Sequence, residues 1–478
     1  MFPRDQGVLR HSTARLGLPR RASIALAGVA AGAALWPAGA IAHGLVQRAN
    51  LPIPEWLFAW AAALVLIISF IALALLWPRP RLEHPGWRPL PGGLGRALGS
   101  TALEAACGTL GVALLVVVVV SGLAGVQSSF ANLAPTFVFI TFWVGMAFAS
   151  VLFGNVFGAL SPWRALGRAA GAVFGRRAPA RPYPERLGRW PAAAALLAFT
   201  WIELASGWSE QPRTLAIAVL GYTALTLTAQ AVYGVDVWSR RGEAFAVYFD
   251  LFARISVFER RGRVVGVRPP LGGLPRLDPV AGTVAFIVVM IGSVTYDGFS
   301  AGPLWQNLIG DAALDAPELT ATAGLLLGVG LVGGFYGLGI AGVRSVGGGL
   351  SAQQLRRAFA HSLVPIAFVY VVAHYHTFLL FEGQAIVYLA SDPLGEGWDL
   401  FGTASSTIDY GVLSQNAAWY LQVGFVVAGH AAALILAHDR ALALYSEPRR
   451  AVRSQYWMLA VMIGFTTLAL WLLATAQS

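Results

Sequence analysis

Long apolar runs dominate this chain and leave few folds open to it. About ten of them, each near 20 residues, lie at 57–77, 102–124, 135–160, 191–207, 213–236, 280–296, 320–343, 359–381, 416–437 and 455–475. A helix needs about 20 residues to cross the hydrocarbon core of a bilayer. Lipid offers no partner to a backbone amide, so a spanning segment must satisfy its own hydrogen bonds. Runs this long and uniformly apolar exclude barrel strands, which alternate in polarity over shorter lengths. The pattern therefore predicts an all-α, polytopic transmembrane helix bundle of about ten helices. Composition agrees: 57% of residues are hydrophobic and 12% charged, against about 25% charged in a soluble domain.

The loops alternate in charge. One set is arginine-rich: Arg79 to Arg96, Arg164 to Arg189, Arg240 to Arg276, Arg344 to Arg357, and Arg440 to Arg453. The other set, 125–134, 208–212, 297–319 and 382–415, is arginine-poor and acidic. By the positive-inside rule the first set is cytoplasmic and the second faces outward. The net charge of +10 thus reflects membrane topology, and no nucleic-acid partner is expected. The longest outward loop, 382–415, mixes aromatics, acids and turn residues and reads as a folded cap. Cys107 is the single cysteine, which excludes a disulfide framework and a cysteine metal cluster.

Residues 1–42 read as a signal peptide. Arg4, Arg10, Arg15, Arg20 and Arg21 precede an apolar stretch from Ile24 to Ala34. Pro37 and Gly39 then break the helix before Ala40-Ile41-Ala42. Cleavage after Ala42 would leave residues 43–478 as one membrane domain beginning at His43. An uncleaved first anchor is the alternative. The loop charges independently put His43 on the extracytoplasmic side of the cell membrane.

Ionisable groups within membrane helices are costly and mark functional or paired positions. Glu203 and Asp297 fall toward the outer ends of their runs, and Glu104 toward an inner end. His361, His374 and His376 share one run; His430 and His438 share the next. At about 100° per residue, His374 and His376 point about 200° apart. An outer tier of His374 or His376 is expected over an inner tier of His361 and His438, with His430 near the middle. His43, with an α-amine and a ring nitrogen, together with His374, His376 and His430, forms the candidate metal-ligand set. Nitrogen donors with a carboxylate suit copper or zinc, and the paired donors of an N-terminal histidine favour copper. Asp297 and Glu203 are the candidate catalytic groups, as ligand or general base. Single histidines hydrogen-bonded to a neighbouring helix are the plain alternative. A haem between histidine pairs is a rival that the spacing of His430 and His438 does not suit. The glycine steps Gly324/Gly328 and Gly330/Gly334 predict close helix packing. The formal GxGxxG at Gly337, Gly339 and Gly342 lies inside a membrane run and marks no nucleotide site.

The chain resembles a family of polytopic bacterial membrane proteins that carries the name fenitrothion hydrolase. The resemblance lies in Ala42-His-Gly-Leu-Val, Leu51-Pro-Ile-Pro-Glu-Trp-Leu-Phe, Ser161-Pro-Trp-Arg and Tyr296-Asp-Gly-Phe. It continues in Ser362-Leu-Val-Pro-Ile-Ala, Ala373-His-Tyr, Ser391-Asp-Pro-Leu-Gly, Asp399-Leu-Phe-Gly-Thr and Gly429-His. It implies hydrolysis of organophosphate triesters, with a small lipophilic substrate reaching the site from the bilayer. The mature N-terminal histidine is similar to that of copper proteins whose first residue is a copper ligand. Copper handling or transport without catalysis is the other function class, and other membrane subunits are further partners to expect.

Overall fold

The computed structural model describes residues 55–175, 180–310 and 315–475. These form an all-α bundle, and the chain is a multi-pass membrane protein. The helices are α1 (Glu55–Leu76), α2 (Thr101–Ala124), α3 (Leu133–Phe153), α4 (Pro162–Val173), α5 (Trp190–Leu204) and α6 (Pro212–Tyr233). They continue as α7 (Ala244–Ala253), α8 (Thr283–Ser300), α9 (Pro317–Ser345), α10 (Leu363–Leu380), α11 (Gln415–Leu444) and α12 (Tyr456–Thr475). Seven helical segments among the described residues are long and apolar enough to cross a membrane; α1, α5 and α12 are further apolar helices. All ten runs expected from the sequence fall on helices.

Local chemistry sets the helix boundaries. Ser100, Ser161 and Ser414 each accept a backbone N–H at the start of α2, α4 and α11, which satisfies an orphan donor of the first turn. Proline occupies the first turn of α4, α5, α6 and α9, where its missing N–H costs nothing. Two expectations need correction. The run at 135–160 is not one helix: α3 stops at Phe153, where Gly154 takes a positive φ of 83°. Ten residues of α3, Thr136–Gly145, are π-helical. The arginine-rich stretch 240–276 is not a plain connection either. It contains α7, whose Phe245, Tyr248, Phe249 and Phe252 are buried, and an antiparallel hairpin of Phe258–Arg261 with Val264–Val267. Aromatic residues cannot sit in water at that density, so they draw the segment into the bundle. Tyr248 stacks on Trp143 of α3 at 4.3 Å, and Phe245 meets Phe142 at 4.9 Å. Each such pair stabilises by about 0.5–1.5 kcal/mol beyond its burial.

The core runs through α8 and α10, which are buried along most of their length, whereas α2 and α6 leave most of theirs exposed. Lipid tails are as apolar as leucine, so helices here associate by close packing. A Cβ on Gly324 of α9 would lie 2.3 Å from the Tyr296 ring of α8, and one on Gly328 would lie 2.8 Å from the Gly292 carbonyl. That glycine step is the expected contact. Gly330 and Gly334 have open space instead. The arginine-rich segments gather at one end. Arg440 pairs with Glu83 and donates to the Pro275 carbonyl, and Arg88 pairs with Val267 to complete a three-stranded sheet. At the opposite, acidic end, Val126 donates to the Leu394 carbonyl and Asn132 caps α3. The expected cap there consists of a short helix, Ile386–Ser391, and turns tied by Ser391 to Asp399.

Candidate functional site: an aspartate, a histidine and two tyrosines near the acidic end

Asp297 lies in the last turn of α8, and His374 and Tyr375 lie on α10, which packs beside it. All three are buried. The Asp297 Oδ2 receives His374 Nε2 at 2.8 Å and the Tyr375 hydroxyl at 2.7 Å. A carboxylate only accepts, so the hydrogen between Asp297 and His374 sits on Nε2. In the neutral ring Nδ1 then carries the lone pair. It faces Gly298, where a Cβ would stand 3.7 Å away and where, among the described residues, no side chain of another helix but His374 lies within 4 Å. Glycine at 298 therefore leaves room beside the one ring nitrogen that Asp297 does not engage. A histidine oriented by a carboxylate through one nitrogen presents the other as a metal ligand or a base.

Glu203, on α5, interacts electrostatically with Asp297. Tyr248 of α7 interacts electrostatically with Glu203, and Tyr375 with Asp297, Glu203 and Tyr248. Tyr248 is fully buried, and its hydroxyl has no hydrogen-bond partner among the described residues; nor does the Trp143 indole N–H of the ring stacked on it. Sequence reading missed both tyrosines. Tyr375 had a signal, since it follows His374 directly. Tyr248 had none, because its segment carries the charge pattern of a loop.

The other histidines go elsewhere. His376 projects from the opposite side of α10 against Phe425 of α11, with Nδ1 3.1 Å from the Val372 carbonyl. His430 bonds the Val426 carbonyl through Nδ1 at 2.7 Å and borders a separate cavity of about 80 Å³ with Tyr336, Ser362 and Gln455. Neither joins His374. His438 binds the Trp77 carbonyl at 3.1 Å and His361 the Ala358 carbonyl at 3.0 Å, both toward the arginine-rich end. Glu104 is paired with Arg168 and Arg260. His43 lies outside the described residues. Among those described, no three His, Cys, Asp or Glu side chains form a metal-holding group, so the donor they bring to this site is His374 Nδ1.

No model of a protein family, no curated protein and no solved structure matches this chain.

Proposed function

We propose that the chain is a membrane hydrolase of lipophilic organophosphate esters, working on the extracytoplasmic side at a metal site built on His374. One observation carries the reading: the buried bond from His374 Nε2 to Asp297, which holds the ring with Nδ1 turned to the space beside Gly298. The amine and ring of a mature N-terminal His43 would complete the donor set, and that pairing of amine and imidazole on one residue favours copper. A metal ion held there would supply Lewis-acid chemistry for ester hydrolysis. In this reading Asp297 acts on His374 as a positioning residue, through the Nε2 bond. Glu203 is the general base, within electrostatic reach of that pair. Tyr375 holds the second position on the Asp297 oxygen and so fixes the direction in which Asp297 faces His374.

Elemental analysis of protein purified from native membranes tests this directly. Copper at one ion per chain, lost in His374→Ala while intact mass begins at His43, is the expected result. A retained residue 1–42 segment, or unchanged metal in His374→Ala, sinks the site as drawn. A second reading, ion passage without hydrolysis, draws on His376 and His430, whose Nε2 atoms are buried without a partner among the described residues. Copper flux into vesicles that falls in His430→Ala, with no ester hydrolysis in the parent protein, would favour it.

A further inference from the structure

Consecutive helices usually pack together, yet α5 and α6 barely touch. Between them lies an apolar groove of about 420 Å³, backed by α2 and α3. Ala195, Ala198 and Ile202 form one lip, Ala218, Gly221 and Leu225 the other. Among the described residues, no charged side chain lines it. Ala198, Gly221 and Leu225 are exposed, so the groove opens sideways, onto what is lipid for a spanning bundle. A Cβ on Gly221 would meet nothing within 4 Å. From Leu215 to Leu225 the groove follows α6 for about 15 Å. That is half the hydrocarbon thickness of about 30 Å, the depth of one leaflet.

The top of this groove carries an unexplained charge. Arg213 is exposed in the first turn of α6, two residues above Leu215. Among the described residues it is the only arginine at the acidic end of the bundle. Its backbone N–H is held by Gln127 Oε1 at 3.0 Å, which anchors the turn, and no ion pair to its guanidinium occurs among the described residues. Trp208, half-exposed in the connection between α5 and α6, has the amphipathic character of an interfacial anchor.

We propose that this groove is a phospholipid-binding site: one acyl tail lies between α5 and α6, and the phosphate of the same lipid meets Arg213. A cation at headgroup height above an apolar slot one leaflet deep matches the amphiphile in both charge and length. Guanidinium is the side chain suited to a phosphate, since it offers a planar fork of donors. The site is separate from His374 and needs neither metal nor hydrolysis.

Native mass spectrometry of the full chain, released from nanodiscs of defined phosphatidylglycerol and phosphatidylethanolamine, tests it. The parent should retain one phospholipid at activation energies that strip the rest. Gly221→Trp, which fills the groove where space is open, should lose that adduct with the thermal transition unchanged. Ala218→Phe is the second filling variant if the first fails to fold. Arg213→Gln should cut retention at least tenfold. An adduct that survives both filling variants overturns the groove as its site. Retention unaffected by Arg213→Gln means the slot takes any alkyl chain, and overturns the phospholipid assignment.

Discussion

Asp297 and Asp439 are equally buried, at 3% and 1% exposure, and each sits beside a histidine, yet they are built differently. Asp439, on α11 near the arginine-rich end, accepts the Trp77 indole N–H at 2.9 Å and the backbone N–H groups of Arg81 and Leu82 at 2.6 and 3.1 Å. Its neighbour His438 holds the Trp77 carbonyl. Those partners are terminal: two backbone amides and an indole have nothing further to pass on. The pair clamps the chain leaving α1 onto α11. Asp297 instead takes two side chains on one oxygen, and one of them, His374, has a second nitrogen facing space. Burial alone does not separate a structural carboxylate from a functional one. The chemistry left over on its partners does.

The comparison breaks first at Asp439. Asp439→Ala orphans three donors, and the fully buried one, the Leu82 N–H, costs about 1–3 kcal/mol when left unpaired. The thermal midpoint in detergent should fall further than for any change at Asp297, with metal content per folded chain unchanged. A variant as stable as the parent would show that Asp439 is no clamp. Asp297→Asn should act the other way round. Its amide can still occupy the space, so stability should drop by about 1 kcal/mol. Metal retention or ester hydrolysis should fall about 10–100-fold, the usual cost of losing an orienting partner. Equal losses of stability at the two aspartates would erase the distinction. The smallest stability effect is expected for Gly298→Ala. A Cβ there makes an ordinary contact at 3.7 Å with the His374 ring, and alanine favours helix over glycine by about 1 kcal/mol. Melting should be unchanged or slightly raised while metal binding weakens. Full metal content in this variant would show that Nδ1 does not bind through the space beside Gly298.

Much of this could be read in advance, for reasons of period and charge. A 20-residue apolar run can satisfy its backbone in lipid only as a helix, and the sorting of arginine by loop fixes which ends meet. That was enough to put Asp297, Glu203 and His374 toward one end. Helical pitch also separated His374 from His376, as the structure bears out with α8 on one side and α11 on the other. The grouping of His430 with His374 had no such support, because depth along a helix says nothing of the direction a side chain faces. Asp297 and His374 are 77 residues apart in sequence, and only the packing of α8 on α10 turns them toward each other.

The sequence by itself determined the apolar helical runs and the two ends, and that the glycines of α9 would pack against a neighbour, since each follows from local pattern and the demands of lipid. The tertiary structure alone decided that Tyr375 completes the Asp297 pair and that a segment with loop-like charge folds inward to stack Tyr248 on Trp143. It alone left α5 and α6 apart over a groove. Those outcomes depend on interhelical azimuth and on aromatic contacts between distant segments, which no periodicity within a single run encodes.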